Sequence, residues 1–182
     1  MEAWGAARYG DPCRECGFTW SIRPEDAIAK VATMPDRYGS LLTGQDAGRR
    51  HPDLDWSAGE YVCHVADNLR IWAERLAGPA LTGAFPGSAS PAGDADVVSY
   101  DTDLLARARR YDRVTSAGAL WSLRHAAAEW AEAISLATRA GVVLRHDTRG
   151  EQRPADVARN NAHDCFHHAF DIARILRVRW AG

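Results

Sequence analysis

The feature that most constrains this chain is a stripe of apolar residues at helical spacing. Val62, Val65, Leu69, Trp72 and Leu76 recur at alternating steps of three and four, so they share one face of an α-helix and must be buried against a neighbour. Ser57, with Glu60 three residues later, forms a capping box that starts this helix. Gly78-Pro79 marks its expected end. Two more stripes follow. Leu120, Leu123, Ala127, Trp130 and Ile134 lie between a start at Thr115-Ser116 and a C-terminal cap at Gly141. Ala158, Ala162, Cys165, Ala169, Ile172 and Leu176 form the seam of a last helix opening at Pro154. A further helix is expected from about Pro24 to Leu42, bent or interrupted at Met34-Pro35, because proline and acids suit a first turn. Striped faces of this kind are buried against one another, which predicts an all-α fold: a four-helix bundle with a long crossover after the second helix. That crossover is the Pro/Gly-rich stretch 79–100. A short helix is expected over 101–110, and a loop or small hairpin over 142–153, turning near Arg149-Gly150.

A chain of 182 residues can bury a core without disulfide staples. The expected organisation is an N-terminal arm over residues 1–23, containing Cys13-x-x-Cys16, and one bundle domain over 24–178. With 22 Lys+Arg against 24 Asp+Glu, there is no basic surplus to grip a phosphate backbone, so no nucleic-acid partner is expected. No apolar run approaches the roughly eighteen residues of a membrane span, and the start shows no signal-peptide pattern. A cytoplasmic location with no membrane partner follows as an expectation. Cys63 and Cys165 lie within helical patterns beside histidines, which suits reduced thiols in a reducing compartment.

His163 and His167 are four apart in His163-Asp164-Cys165-Phe166-His167-His168, so they project from one helix face about 6 Å apart along the axis. His64 lies beside the apolar stripe of the second helix. A metal ion held by these three imidazoles would keep its full charge and an open position, the arrangement of a catalytic site. Such an ion lowers the pKa of a bound water or thiol. Asp67 and Asp171, three after His64 and four after His167, are candidates to fix the histidine tautomers. A histidine pair at this spacing is equally the pattern of surface or satisfied core histidines.

The segments Trp56-Ser57-x-x-Glu60-x-x-x-His64 and His163-x-x-x-His167-His168 resemble the signatures of the DinB-like (DinB/YfiT) metalloprotein superfamily, in element order from about residue 24 to 178. The resemblance implies a four-helix bundle with a divalent metal, zinc or nickel foremost, held by His64, His163 and His167. It also implies kinship with the metal-binding domain of mycothiol-dependent maleylpyruvate isomerase and with mycothiol or bacillithiol S-transferases. The expected function is thus a metal-dependent thiol S-transferase or isomerase-type enzyme, in which a low-molecular-weight thiol meets an electrophile. The chain lacks an obvious second domain of the kind the isomerase carries. The alternatives are a non-catalytic metal-stabilised binding module and a metal-dependent hydrolase. A homodimer is compatible with the stripes, which do not require one.

Cys13-Arg-Glu-Cys16-Gly is a single pair of zinc-knuckle or redox type. It reads as two ordinary thiols, as a disulfide, or as part of an intersubunit zinc site. Cys165 lies about 200° around its helix from His163 and so away from a metal there, and Cys63 reads as core filler. His168, about 100° from His167, is placed outside the ligand set. Trp56, Trp72, Trp121 and Trp130 either line a pocket over the metal or fill the core. His51, His125 and His146 are expected in solvent.

Overall fold

A computed structural model of the chain describes residues 4–82 and 93–180. In order it contains α1 (Ala6–Tyr9), α2 (Pro24–Leu42), α3 (Ala58–Leu81), β1 (Ala95–Val97), α4 (Thr102–Ala108), a 3-10 turn (Tyr111–Arg113), α5 (Ser116–Ala140), β2 (Leu144–His146), β3 (Gly150–Gln152) and α6 (Pro154–Leu176). Residues 83–92, the middle of the expected crossover, lie outside the described residues.

The helices begin where side chains satisfy their free amides. Ser57 accepts from the Glu60 amide while the Glu60 carboxylate accepts from the Ser57 amide at 2.7 Å. Thr115 accepts from the Gly118 amide, and Asp101 from Leu104. Gly141, at φ 68°, closes α5 in the left-handed conformation that a side chain disfavours. α2 runs unbroken through Pro35, and α3 continues through Pro79 to Leu81. Near the end of α3 the proline forfeits little backbone bonding, so it does not halt that helix where expected.

The four long helices α2, α3, α5 and α6 pack on one another. α3 lies against α5 and α6, α2 against α6 and α5, and α5 against α6. The stripe residues Val62, Val65, Leu69, Leu76, Leu123, Trp130 and Ile172 are buried in the shared core. Trp130 also donates its indole N–H to Asn161 Oδ1 at 2.9 Å, satisfying a buried amide. The expectation of an all-α fold needs correction, because a small sheet of order β1-β2-β3 accompanies the helices. β1 runs parallel to β2 with Val97 opposite His146, and β2 is antiparallel to β3 with His146 opposite Gly150. β2 and β3 form the small hairpin that is one of the two expectations for 142–153, whereas β1, a three-residue strand with too little period-2 pattern to be read from sequence, comes from the stretch expected to be a connection. The sheet lays His146 flat on Trp72, ring centroids 5.9 Å apart. The arm packs inward through Cys13, Cys16, Phe18 and Trp20.

Leu69 is fully buried, whereas Trp121 on α5 is 64% exposed. Leu69→Ala should therefore cost about 2–5 kcal/mol in urea unfolding, and Trp121→Ala less than about 0.5 kcal/mol. A larger loss at Trp121 than at Leu69 would contradict the register of these helices.

Candidate metal centre

α6 advances about 100° per residue, so the run from His163 to His168 contains two i,i+4 pairs on different faces: His163 with His167, and Asp164 with His168. The structure gives each pair its own partners. The ligand atoms of His64, Asp164 and His168 all lie within 4.8 Å of one another, and so do those of Cys13, Cys16, His163 and His167. His64, His163 and His167 do not form such a group. The structure therefore separates the three expected ligands: α3 brings His64 to the Asp164/His168 face, while the arm covers the His163/His167 face. His168, placed outside the ligand set on sequence, belongs with His64; their rings lie 5.0 Å apart.

The groups around this first cluster orient it. His168 Nδ1 lies 2.9 Å from Asp171 Oδ2, and its Nε2 lies 3.5 Å from Asp164 Oδ1. Asp171 thus holds the ring from behind, where a carboxylate fixes the tautomer of a ligating histidine. Sequence spacing assigns Asp171 to His167, but that separation is 3.9 Å. Asn68 donates to Asp164 Oδ2 at 2.7 Å and accepts from the Tyr100 hydroxyl at 3.2 Å. Asp67, the expected acceptor behind His64, is instead held by Arg70, by Arg109 at 2.8 Å and by the Tyr111 hydroxyl at 2.7 Å. It ties α3 to the segment after α4. Trp56 packs on His64, centroids 4.7 Å apart.

Burial pushes His64 down to about 4, so it is neutral and able to ligate at neutral pH. Burial also opposes charge on His168, but Asp164 and Asp171 outweigh it and hold the ring up at about 10. Burial alone would raise Asp164; the His168 charge and hydrogen bond, His64 and the Asn68 amide together hold it below the usual carboxylate range. The two acids thus require positive charge between them. An imidazolium supplies one unit, and a divalent cation bound there would displace its proton. Two imidazoles and one carboxylate are donors that suit such a cation and leave a position open.

The open side faces a cavity of about 240 Å³ lined by His64 and Asp164 together with Trp4, Asn68, Trp72, Arg75, Tyr100, His146, Arg149 and Asn161. His146 is only 5% exposed here, contrary to its expected place in solvent, because the sheet turns it inward. Of the four tryptophans considered, Trp72 lines the cavity, Trp56 backs His64, Trp130 is core and Trp121 faces solvent. The Arg149 guanidinium lies 3.4 Å over Trp4, and Arg75 lies over Trp72 and donates to the Val98 carbonyl. Among the described residues neither arginine has a carboxylate partner within ion-pair distance. A larger groove between α3 and α5, about 800 Å³, is lined by Ala73, Ala77, Glu129, Leu136 and Arg139 among others and holds no histidine or cysteine.

At the second cluster, Cys13 Sγ is 3.9 Å from His167 Nδ1. His163 is enclosed by Trp20, Tyr9 and Phe18 at centroid distances of 4.4, 4.6 and 5.4 Å. Cys165 and Cys63 are buried apart from both clusters, and Tyr38 donates to the Cys165 carbonyl at 2.8 Å.

The family model described as the DinB superfamily matches residues 36–172. The match covers well over half of the chain, which therefore belongs to the DinB superfamily, whose members bind divalent metals. No curated protein and no solved structure matches it. No helix among the described residues is long and apolar enough to cross a membrane.

Two outcomes follow from this geometry. Asp171→Asn should weaken divalent-metal affinity at the His64–Asp164–His168 cluster about 10–100-fold, read by competition with a chromophoric chelator; unchanged affinity would remove Asp171 from its orienting role. In chelator-treated protein, His64 and His163 titrate at about 4 in the fold against an ordinary 6.5. Unfolding then takes up protons between those values, so stability falls as pH drops from 6.5 to 4. His168, held at about 10, acts in the opposite sense, and its contribution fades as pH rises from 6.5 towards 10. Melting temperature of the chelated protein should peak near pH 6.5; a flat profile would contradict the assigned shifts.

Proposed function

We propose that this protein is a metal-dependent enzyme of the thiol S-transferase or isomerase type, with a divalent ion, zinc or nickel, held by His64, Asp164 and His168. The observation that supports this reading is the convergence of these three groups beside a cavity whose wall includes His64 and Asp164, together with Arg75 and Arg149, which have no carboxylate within ion-pair distance among the described residues. A bound divalent cation lowers the pKa of a thiol or water at its open position and so supplies a nucleophile near neutral pH.

The chain's own groups supply the rest. Asp171 and Asn68 hold His168 and Asp164 in their ligating orientations. Trp4, Trp72 and Tyr100 give the cavity flat apolar walls that exclude water from a small organic substrate. Arg75 and Arg149 suit a substrate with a carboxylate or another anionic group, which would displace their stacking on the aromatic rings. In the proposed reaction the sulfur of a low-molecular-weight thiol, mycothiol or bacillithiol in kind, forms a C–S bond to an electrophilic carbon as that carbon's bond to a leaving group breaks; the leaving group departs with the bonding electron pair, and the thiol proton passes to it or to solvent. The four long helices act as the four-helix bundle that positions these residues, and the chain acts as one bundle domain with a short arm.

The test is conjugation of a model electrophile by metal-reconstituted protein with mycothiol, bacillithiol or cysteine. The expected result is turnover that a chelator and His168→Ala each abolish, and an Arg149→Ala variant whose KM rises about tenfold while metal content is kept, the loss of about one charge-assisted contact. Chelator-insensitive conjugation would overturn the proposal. Metal-dependent ester hydrolysis with no thiol consumed would assign the open position to water, and metal binding without turnover would make the protein a binding module.

A further inference from the structure

We propose that Cys13, Cys16, His163 and His167 hold a zinc ion in a closed tetrahedral site that fastens the N-terminal arm to α6. The four ligand atoms lie within 4.8 Å of one another, with Cys13 Sγ and His167 Nδ1 at 3.9 Å. A tetrahedral zinc with bonds of about 2.3 Å to sulfur and about 2.0 Å to nitrogen sets a sulfur–nitrogen edge of about 3.5 Å, so the Cys13–His167 edge closes by a few tenths of an ångström and the other edges by no more than about 1.5 Å. Two thiolates and two imidazoles are the donor set of structural zinc, and the spacings C-x2-C and H-x3-H are those in which such sites supply ligands.

Two observations separate this from a plain thiol pair or a disulfide. His163 Nε2 is buried and has no hydrogen-bond partner, although the residue is only 4% exposed. A Cys13–Cys16 disulfide would use two of the four groups and leave that imidazole unsatisfied, whereas one cation uses all four. His167 Nε2 lies 3.2 Å from Glu15 Oε2 while its Nδ1 faces Cys13. The ring therefore presents one nitrogen to the sulfur cluster and the other to a carboxylate, as metal-ligating histidines do. Backbone bonds within the arm fold the two cysteines into one tight turn. The Cys13 amide donates to the Phe18 carbonyl at 2.7 Å, and the Gly17 amide, at a glycine of φ 80°, donates to the Cys13 carbonyl at 2.9 Å.

The site differs in kind from the one beside the cavity. It has four protein ligands and no open position, so its role is to hold structure. Cys13 and Cys16 also precede residues 36–172, where the superfamily match lies. The fastening bears on the cavity, because the same arm carries Trp4, one of its walls.

The test is cobalt(II) titration of the reduced, metal-stripped full chain, read by absorption. Expected are a thiolate-to-cobalt charge-transfer band and intense visible bands of a tetrahedral ion, saturating at one equivalent and displaced by zinc. The His64–Asp164–His168 cluster has no sulfur, so the charge-transfer band reports this site whatever becomes of the other. Cys13→Ser, checked for folding by far-UV circular dichroism, should lose the band and one equivalent of zinc, while His168→Ala keeps both. Chelation of the wild type should speed tryptic cleavage at Arg8 and Arg14 at least tenfold. If Cys13→Ser fails to fold, the wild-type titration decides. Absence of the charge-transfer band in reduced wild type, or a Cys13–Cys16 disulfide found by mass spectrometry in freshly purified protein, would overturn the proposal.

Discussion

The rotation of about 100° per residue along one helix governs this molecule. Six consecutive residues of α6, from His163 to His168, present ligating groups to two neighbours at once, and what stands opposite each face decides which groups meet. α3 places His64 opposite Asp164 and His168; the N-terminal turn places Cys13 and Cys16 opposite His163 and His167. A one-residue shift in the register of α6 would move one pair to the other's place, bring Cys165/Ala169 or Ala162/Phe166 to the vacated one, and dismantle both clusters. The buried seam of Ala162, Cys165, Ala169 and Ile172, all without exposed surface, is what pins that register.

The two clusters divide the chemistry between them. Where His64 stands, carboxylates dominate: Asp164 and Asp171 flank His168, and a polar relay from Tyr100 through Asn68 fixes Asp164. Their charge favours a hard or borderline divalent cation, and the mixed donor set leaves room for an exogenous ligand from the cavity. On the other face the donors are sulfur and nitrogen, and the surroundings are aromatic rings. The proposed reactivity belongs to the first environment and the proposed fastening to the second. The sheet shapes the cavity by turning His146 inward and carrying Arg149 over Trp4.

Much of the fold is legible in the sequence because helical stripes and caps are local signals. The Ser57/Glu60 box, the Thr115 and Gly141 caps and the Pro154 start all fall where the structure has them. The hairpin of β2 and β3 is one of two readings the sequence allows, but β1 is not legible, since Ala95–Val97 pairs with a partner almost fifty residues away and only one of its side chains is buried. The site is half legible. Spacing locates the helix and the histidines, but an i,i+4 rule selects His163/His167 and Asp164/His168 equally, and a preference for imidazoles over a carboxylate favours the first pair. The cysteine pair looks incomplete because its partners lie at the far end of the chain. The available signal is that Cys13-x2-Cys16 and His163-x3-His167 are complementary halves of a common ligand set.

Everything proposed about catalysis depends on a divalent ion beside the cavity held by His64, Asp164 and His168. The most direct measurement is an anomalous difference map from crystals of the metal-loaded protein, collected above and below the absorption edge of the metal. A peak bonded to those three residues and open to the cavity is the predicted result. A single peak joining His64 to His163 and His167, with Asp164 unligated, would contradict it.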